Sequence, residues 1–163
     1  MRAATGSQRV TSLALADRVE LGELAGRYAA YVDTRRIDEL VELFTPDGVL
    51  AAAAPPEHLG PTDLHRGPRQ IAAAMDLLGS IPVTQHAVVG HVVEETDRPG
   101  VASGRVACIA HHLSQRAGAD VRNTVWHLHY LDTYRTVAGQ WRFARREMHV
   151  DWIETRKVDQ WRG

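Results

Sequence analysis

The strongest constraint on the fold is a series of four long segments in the second half of the sequence, each rich in β-branched and aromatic residues. Their pattern predicts strands at residues 83–95, 101–113, 122–136 and 140–152, joined by turns with the sequences DRPG, RAGAD and VAGQ. Strands joined by connections this short pair as antiparallel neighbours, and a sheet of such long strands twists and curves strongly. The second half of the chain therefore predicts one curved antiparallel sheet.

The first half of the sequence is predicted to be mainly helical. Apolar residues at three- and four-residue spacing predict a helix from Asp17 and a second helix over residues 35–44. Pro68 suits the first position of a third helix, over residues 68–78. Residues 49–54 are predicted to form a short strand, and the proline-rich segment 55–67 a loop. Helices followed by a meander of strands predict the α+β class.

The length of 163 residues suits a single domain with its own core. We expect this domain to span residues 15–155, with a flexible tail over residues 1–14 and a second tail over residues 156–163. The N-terminal segment lacks the apolar core of a secretory signal, and no run approaches the roughly 20 apolar residues of a membrane span. Neither a membrane nor secretion is expected.

Charge and cysteine content exclude several classes of function. The net charge of −1 creates no field that would attract nucleic acid or an anionic membrane surface. Cys108 is the only cysteine, so an internal disulfide and a cysteine-based metal cluster are impossible. The expected setting is a reducing cytoplasm.

Four stretches, taken in their order and spacing, resemble the nuclear transport factor 2-like superfamily and, within it, the SnoaL-like branch. They are YAAYVDTRRIDELVELFTPDGVL, HRGPRQIAAAM, TQHAVVGHVVEE and HYLDTYRTVAGQWRFARREMHVDW, and the resemblance extends over about residues 17–153. It implies a cone-shaped, curved sheet wrapped around three helices and enclosing a pocket for a small molecule. The superfamily includes polyketide cyclases, dehydratases, a dehydrochlorinase, isomerases and pure binding modules, so the fold alone selects no function.

By this resemblance, Asp33 and His86 match the Asp–His pair of scytalone dehydratase and hexachlorocyclohexane dehydrochlorinase. Histidine suits the removal of a proton from carbon near neutral pH, and a carboxylate bound to one ring nitrogen makes the other the base. Two structural alternatives remain open. Asp33 could cap the second helix, and His86 could be a hydrogen-bonded core histidine.

Side-chain alternation assigns the remaining histidines to faces. Along the first long strand His86 and residues 88, 90 and 92 share one face, so His91 is expected on the other. On the next strand the resemblance implies that His111 is a second pocket histidine. Ala107 and Ile109 share the face of His111 and are expected to line the cavity.

The resemblance and the same alternation complete the expected pocket. Arg146 matches a pocket arginine that assists the leaving group in the dehydrochlorinase, and a guanidinium can stabilise a developing anion. Tyr28 stands where that enzyme has a lysine. The expected substrate-binding residues are Tyr28, Tyr31, Trp126, Leu128, Tyr130 and Met148, besides the two residues on the strand of His111.

The resemblance implies that Trp126, Leu128 and Tyr130 face inward, so His127 and His129 are expected to face outward. Two histidines spaced two apart on a strand can chelate a metal, which suggests a second chemistry. His149 or Asp132 would have to complete such a site, although Asp132 lies on the face of Tyr130. The principal hypothesis therefore needs no metal and no cofactor.

The sequence thus predicts a cofactor-independent lyase of the dehydratase type. Its substrate would be small and largely apolar, with a cyclic or polyketide-like structure. A cyclase or isomerase that uses the same pocket is one alternative, and a non-catalytic small-molecule binding module is another. The extended outer face of the sheet predicts a homo-oligomer, either a dimer or a trimer.

Overall fold

The computed structural model describes residues 13–115 and 120–161. They form one curled, half-barrel sheet with helices on its concave side, which confirms the predicted α+β class. The helices are α1 (Leu15–Thr34), α2 (Ile37–Glu42) and α3 (Gly67–Met75), followed by a 3-10 helix (Asp76–Ser80). The strands are β1 (Phe44–Ala54), β2 (His58–Arg66), β3 (Val83–Glu95), β4 (Val101–Ser114), β5 (Arg122–Val137) and β6 (Gln140–Lys157).

The strand order is β2-β1-β6-β5-β4-β3. Strands β3 to β6 form the predicted antiparallel meander, and β1 pairs with β6 in parallel. We call the face that packs against the helices the inner face. The core lies there, where α1 residues such as Leu21 and Ala25 join Val106 of β4 and Phe143 of β6 in one buried cluster. Helix α1 packs against β3, and its last turn reaches the start of that strand.

The segment 55–67 is not a loop, as the sequence indicated, but mostly strand β2. It pairs antiparallel with β1, from Val49 opposite Arg66 to Ala54 opposite His58. Pro61 lies near two irregularities in this pairing, at the edge of the sheet, where the missing proline N–H does not break a central ladder. Proline and glycine thus mark an irregular edge strand here.

A bulge in β3 reverses the predicted alternation. Val88 pairs with Cys108, but Gly90 pairs with Ala107, so Val89 is an extra residue without a partner of its own. An extra residue shifts every later side chain to the opposite face. The prediction that His91 faces outward is therefore wrong, and Val93, on the same side, packs against the core.

The structure describes the two ends of the chain only in part. Residues 1–12 lie outside the described residues, and with them most of the predicted N-terminal tail. Strand β6 continues to Lys157, beyond the expected boundary at residue 155. Among the described helices none combines the length and the apolar character that crossing a membrane requires.

Candidate functional site

Asp33 in the last turn of α1 meets His86 near the start of β3. The Nδ1 atom of His86 lies 2.7 Å from Oδ1 of Asp33, and the His86 backbone N–H donates to Oδ2 at 2.7 Å. The His86 side chain is 9% exposed and that of Asp33 21% exposed. The structure therefore brings together, with little solvent, the two residues that the resemblance paired.

The geometry fixes the tautomer of the His86 ring. A carboxylate oxygen can only accept, so the neutral ring carries its proton on Nδ1 and keeps a lone pair on Nε2. The Thr84 hydroxyl donates to the same oxygen, Asp33 Oδ1, at 3.0 Å. The arrangement presents Nε2 of His86 as a base with a defined orientation.

Asp33 remains ionised in this environment. Burial by itself raises the pKa of the carboxyl, but the His86 side-chain and backbone hydrogen bonds, the His86 charge and the Thr84 hydroxyl outweigh it. The net result is a pKa below its ordinary value. Asp33 does not cap the next helix, because α2 begins after Arg36 and has no side-chain cap.

The second inner histidine is His112, and the expectation that His111 faces inward is wrong. The His112 side chain is buried, and its ring centroid lies 5.9 Å from that of His86 and 4.3 Å from that of Trp126. His111 instead contacts the Asn123 amide at 2.8 Å on the outer face. His111 and His112 are adjacent on one strand, so their side chains point to opposite faces. The prediction selected the wrong one of the two as the inner histidine.

Ala107 and Ile109 also lie on the outer face, contrary to the prediction that they line the cavity. They pair with His129 and His127, whose side chains form ion pairs on the outside of the sheet. The inner face of β4 carries instead Ala102, Val106, Cys108, Ala110 and His112. Alternation correctly predicted which residues share a face. Which of the two faces is the inner one is determined by packing against the helices.

His112 is neutral near pH 7 and can accept a hydrogen bond. Burial lowers the pKa of His112 to about 4, with a smaller contribution from the charge of His86. Its Nδ1 lies 3.2 Å from the Thr124 carbonyl oxygen, which only accepts, so Nδ1 holds the proton. The remaining nitrogen, Nε2, is an acceptor.

Apolar and aromatic side chains share the inner face with these histidines. Trp126, Leu128 and Tyr130 lie on the inner face of β5, and Met148 pairs with Tyr130 from β6. Tyr28 packs edge-on against Tyr130, with ring centroids 5.9 Å apart. Burial raises the pKa of Tyr28 to about 12, so its hydroxyl stays protonated and can donate.

Tyr31 lies apart from this group. The Arg36 guanidinium carbon is 4.6 Å from the centre of the Tyr31 ring, and the ring borders a surface groove together with Trp141. Tyr31 is partly buried and packs against the core cluster. Its predicted contact with a ligand stays a prediction.

Arg146 is buried, but its charge is already paired. Its Nε and Nη2 atoms donate to the two carboxylate oxygens of Asp132, both at 2.9 Å, and its side chain is 1% exposed. The guanidinium carbon lies 4.3, 4.0 and 4.3 Å from the ring centres of Tyr28, Tyr130 and Phe143. Among the described residues, Nη1 of Arg146 has no hydrogen-bond partner.

The Arg146–Asp132 pair continues into a buried chain of hydrogen bonds. The Tyr134 hydroxyl donates to Oδ2 of Asp132 at 2.8 Å, and Nε2 of His91 lies 3.0 Å from the same hydroxyl. Sequence reasoning missed this network. The available signal was side-chain alternation. Asp132 is two residues from Tyr130 and Arg146 is two residues from Met148, so both were expected on the inner face, where they could pair.

The outward histidines are engaged by carboxylates. His127 contacts Glu154 at 2.9 Å and stacks on Trp152 with ring centroids 4.1 Å apart, and His129 contacts Asp151 at 3.0 Å. Asp132 points inward and cannot complete a metal site with them. Within residues 13–115 and 120–161, no group of three or more histidine, cysteine or acidic side chains is placed to hold a metal ion.

A depression of about 420 Å³ lies on the outer side of the sheet, bordered by residues such as Val92, Arg105 and Leu131. It is on the opposite face from Asp33 and His86, and it holds no oriented base. The oriented histidine described above therefore lies outside this depression.

Comparison with known proteins places the chain among relatives of the same fold. The family model described as SnoaL-like domain matches residues 13–147. An uncharacterized protein of Mycobacterium tuberculosis (strain ATCC 25618 / H37Rv) is 31% identical over 132 residues, which cover 81% of this chain and 84% of that protein.

Solved structures agree with this assignment at the level of fold. A candidate scytalone dehydratase from Novosphingobium aromaticivorans matches with a TM-score of 0.72 and 20% identity, covering 86% of this chain and 87% of that one. A type 2 hexachlorocyclohexane dehydrochlorinase matches with a TM-score of 0.74 and 14% identity, covering 91% and 95%. At these identities, the two structures establish the fold alone.

Proposed function

The chain belongs to the SnoaL-like domain family, and from this premise we propose that it is a cofactor-independent lyase of the dehydratase type. The observation that carries the proposal is the 2.7 Å contact between His86 Nδ1 and Asp33 Oδ1, which leaves Nε2 as the base. The relatives named above support the class of fold, and the residues at the site support the class of reaction.

The proposed reaction removes water from a β-hydroxy carbonyl compound. Nε2 of His86 takes the proton from the carbon next to the carbonyl, and Asp33 stabilises the imidazolium that forms. The electron pair of the broken C–H bond forms the new C=C bond as the C–O bond to the hydroxyl group breaks. The imidazolium returns its proton to the departing hydroxide, which leaves as water, and His86 is again neutral.

The inner-face residues supply binding groups for such a substrate. The acceptor nitrogen of His112 suits a substrate hydroxyl, and the protonated phenols of Tyr28 and Tyr130 are donors suited to a carbonyl oxygen. The surrounding Trp126 and Leu128 are apolar. We infer a small, largely apolar, cyclic or polyketide-like substrate.

Arg146 has a different part from the one its sequence position suggested. Because Asp132 holds two of its donors, its charge is largely neutralised before any leaving group develops. We propose that Arg146 instead holds the Tyr28 and Tyr130 rings in place, because its guanidinium lies against both of them. This role needs no contact with the substrate.

The test is a panel of cyclic β-hydroxy ketones, assayed for loss of water and for exchange of the α-hydrogen with solvent deuterium. His86→Ala should lower both rates by roughly 10²- to 10⁴-fold, the usual contribution of a general base. His111→Ala, on the outer face, is the matched control and should leave both rates unchanged. Equal rates in the wild type and His86→Ala would contradict the proposal, and exchange without elimination would support the base but contradict the dehydratase reaction.

We also propose that the protein self-associates through the outer face of the sheet. Val92, Leu131 and Trp152 are exposed there by 61%, 41% and 55%, beside the paired histidines of β5. Trp152→Glu should reduce the mass measured by light scattering to that of one chain. Leu77→Glu is the control, because Leu77 is 78% exposed on the 3-10 helix, away from this face. An unchanged mass in Trp152→Glu would contradict the proposal.

A further inference from the structure

Arg35, the first residue after α1, has an unusual backbone conformation. Its φ and ψ angles of 58° and 30° lie in the left-handed region, which glycine normally occupies at the end of a helix because a Cβ is unfavourable there. A non-glycine residue in this conformation is uncommon, so the contacts of the Arg35 side chain are of interest. Arg35 is also only two residues beyond Asp33.

The Arg35 guanidinium connects three parts of the chain. Nη1 donates to the Val32 carbonyl oxygen at 2.5 Å and to the Thr84 hydroxyl oxygen at 2.8 Å. Nη2 donates to the Ile81 carbonyl oxygen at 2.9 Å. These contacts fasten the end of α1 to the start of β3, the two segments that carry Asp33 and His86.

The contact with Thr84 determines where the threonine hydroxyl proton points. A guanidinium can only donate, so the hydroxyl oxygen accepts from Arg35 and its single proton must be given elsewhere. The acceptor is Oδ1 of Asp33, at 3.0 Å. Thr84 is 6% exposed, so water does not compete well for this hydroxyl.

We propose that Arg35 is a positioning residue for the candidate base and acts through Thr84. Arg35 donates a hydrogen bond to Thr84, and Thr84 donates one to Asp33, the carboxylate that orients His86. Oδ1 of Asp33 thus receives both the Thr84 hydroxyl and His86 Nδ1, while Oδ2 receives the His86 backbone N–H. This inference rests on the proposed function of the Asp33–His86 pair.

A purely structural part for Arg35 is the competing explanation, since an arginine that binds a terminal carbonyl also closes a helix. That part predicts a change in stability without any change at His86. The positioning part predicts a change in the ratio of the two neutral tautomers of the His86 ring. The ¹⁵N chemical shifts of the labelled ring, measured at a pH where it is neutral, report this ratio without needing a substrate.

Thr84→Val removes the hydroxyl at nearly constant shape, and Arg35→Gly removes the side chain while relieving the backbone strain. Each should lower the ratio of the Nδ1-protonated to the Nε2-protonated tautomer by at most about fivefold, the weight of one net hydrogen bond, because Asp33 is then held less firmly against Nδ1. Thr84→Ser keeps the hydroxyl and should retain the wild-type ratio. Because Thr84→Val leaves Arg35 in place, it also tests the proposal if Arg35→Gly does not fold.

Asp33→Ala, which removes both acceptor oxygens, separates the two proposals. If it changes the tautomer ratio while Thr84→Val and Arg35→Gly do not, the positioning role of Arg35 is overturned and the oriented base stands. If Asp33→Ala itself leaves the ratio unchanged, the carboxylate does not orient His86, and both proposals fail. A change in all three variants, with the wild-type ratio in Thr84→Ser, supports the relay.

Discussion

His86 holds both carboxylate oxygens of Asp33, one through its ring nitrogen and one through its own backbone N–H, each at 2.7 Å. Because His86 forms a hydrogen bond to each oxygen, the carboxylate cannot rotate without breaking one of them. The ring and the carboxylate therefore move as a unit. This links the end of α1 to β3 at the place where the proposed proton transfer begins.

Asp33→Asn should lower kcat for the elimination reaction by about 10³-fold with little loss of structure, because the amide keeps the shape but no longer stabilises the imidazolium. Steady-state rates on the substrate found in the panel measure this effect. Thermal unfolding of the variant is the control for folding. A variant with wild-type kcat would show that the carboxylate has no part in the reaction.

The Asp33 hydrogen bonds should make stability depend on acid pH. The pKa of Asp33 is below its ordinary value of 3.8 in the folded chain, so its contribution is fully present above that value. The contribution is lost as the pH falls through the folded-state pKa. Urea unfolding of the wild type and Asp33→Asn between pH 2.5 and 6, chosen as roughly the span around a carboxyl pKa, should show a larger loss of stability in the wild type than in the variant.

His112 should add a second loss of stability at higher pH. Its pKa is about 4 when folded against an ordinary value of 6.5, because burial disfavours the charged ring. Between these values the unfolded chain binds a proton that the folded chain does not, so stability falls as the pH is lowered. The full difference corresponds to at most about 3 kcal/mol.

His112→Gln should remove this pH dependence while keeping a donor for the Thr124 carbonyl. Urea unfolding at pH 7 and pH 5 measures the effect, and His111→Gln on the outer face is the matched control. Equal pH dependence in the wild type and His112→Gln would show that His112 titrates normally in the folded protein.

Removing one partner of the buried Arg146–Asp132 pair should be severe. Asp132→Asn leaves the Arg146 guanidinium buried without a counter-charge, which should cost about 3–5 kcal/mol of unfolding free energy. The double variant Asp132→Leu with Arg146→Met should recover much of this loss, since no charge is then buried. Urea unfolding of Asp132→Asn and of the double variant measures the loss and its recovery. A single variant within about 1 kcal/mol of the wild type would mean that water reaches the pair.

Local sequence patterns predicted most of the elements. The spacing of apolar residues indicated α1, and the turn sequences between β-rich segments indicated the four-strand meander, because both depend on interactions close along the chain. The bulge at Val89 has a weaker signal, the glycine at position 90 within the strand pattern, which is compatible with a bulge but does not require one. One unpaired residue was enough to move His91 from the outer to the inner face.

The sequence by itself determined which residues share a face: His112 with Ala110, His111 with Ile109, and Trp126 with Tyr130. Only the tertiary structure decided which face turns inward, because that depends on the helices packed against the sheet. It also decided that Arg146 pairs with Asp132, since the register between β5 and β6 sets which charges meet. The pairing of Asp33 with His86 came from a family resemblance, but the hydrogen bonds that orient it, with Thr84 and Arg35 behind them, required distant segments to be folded together.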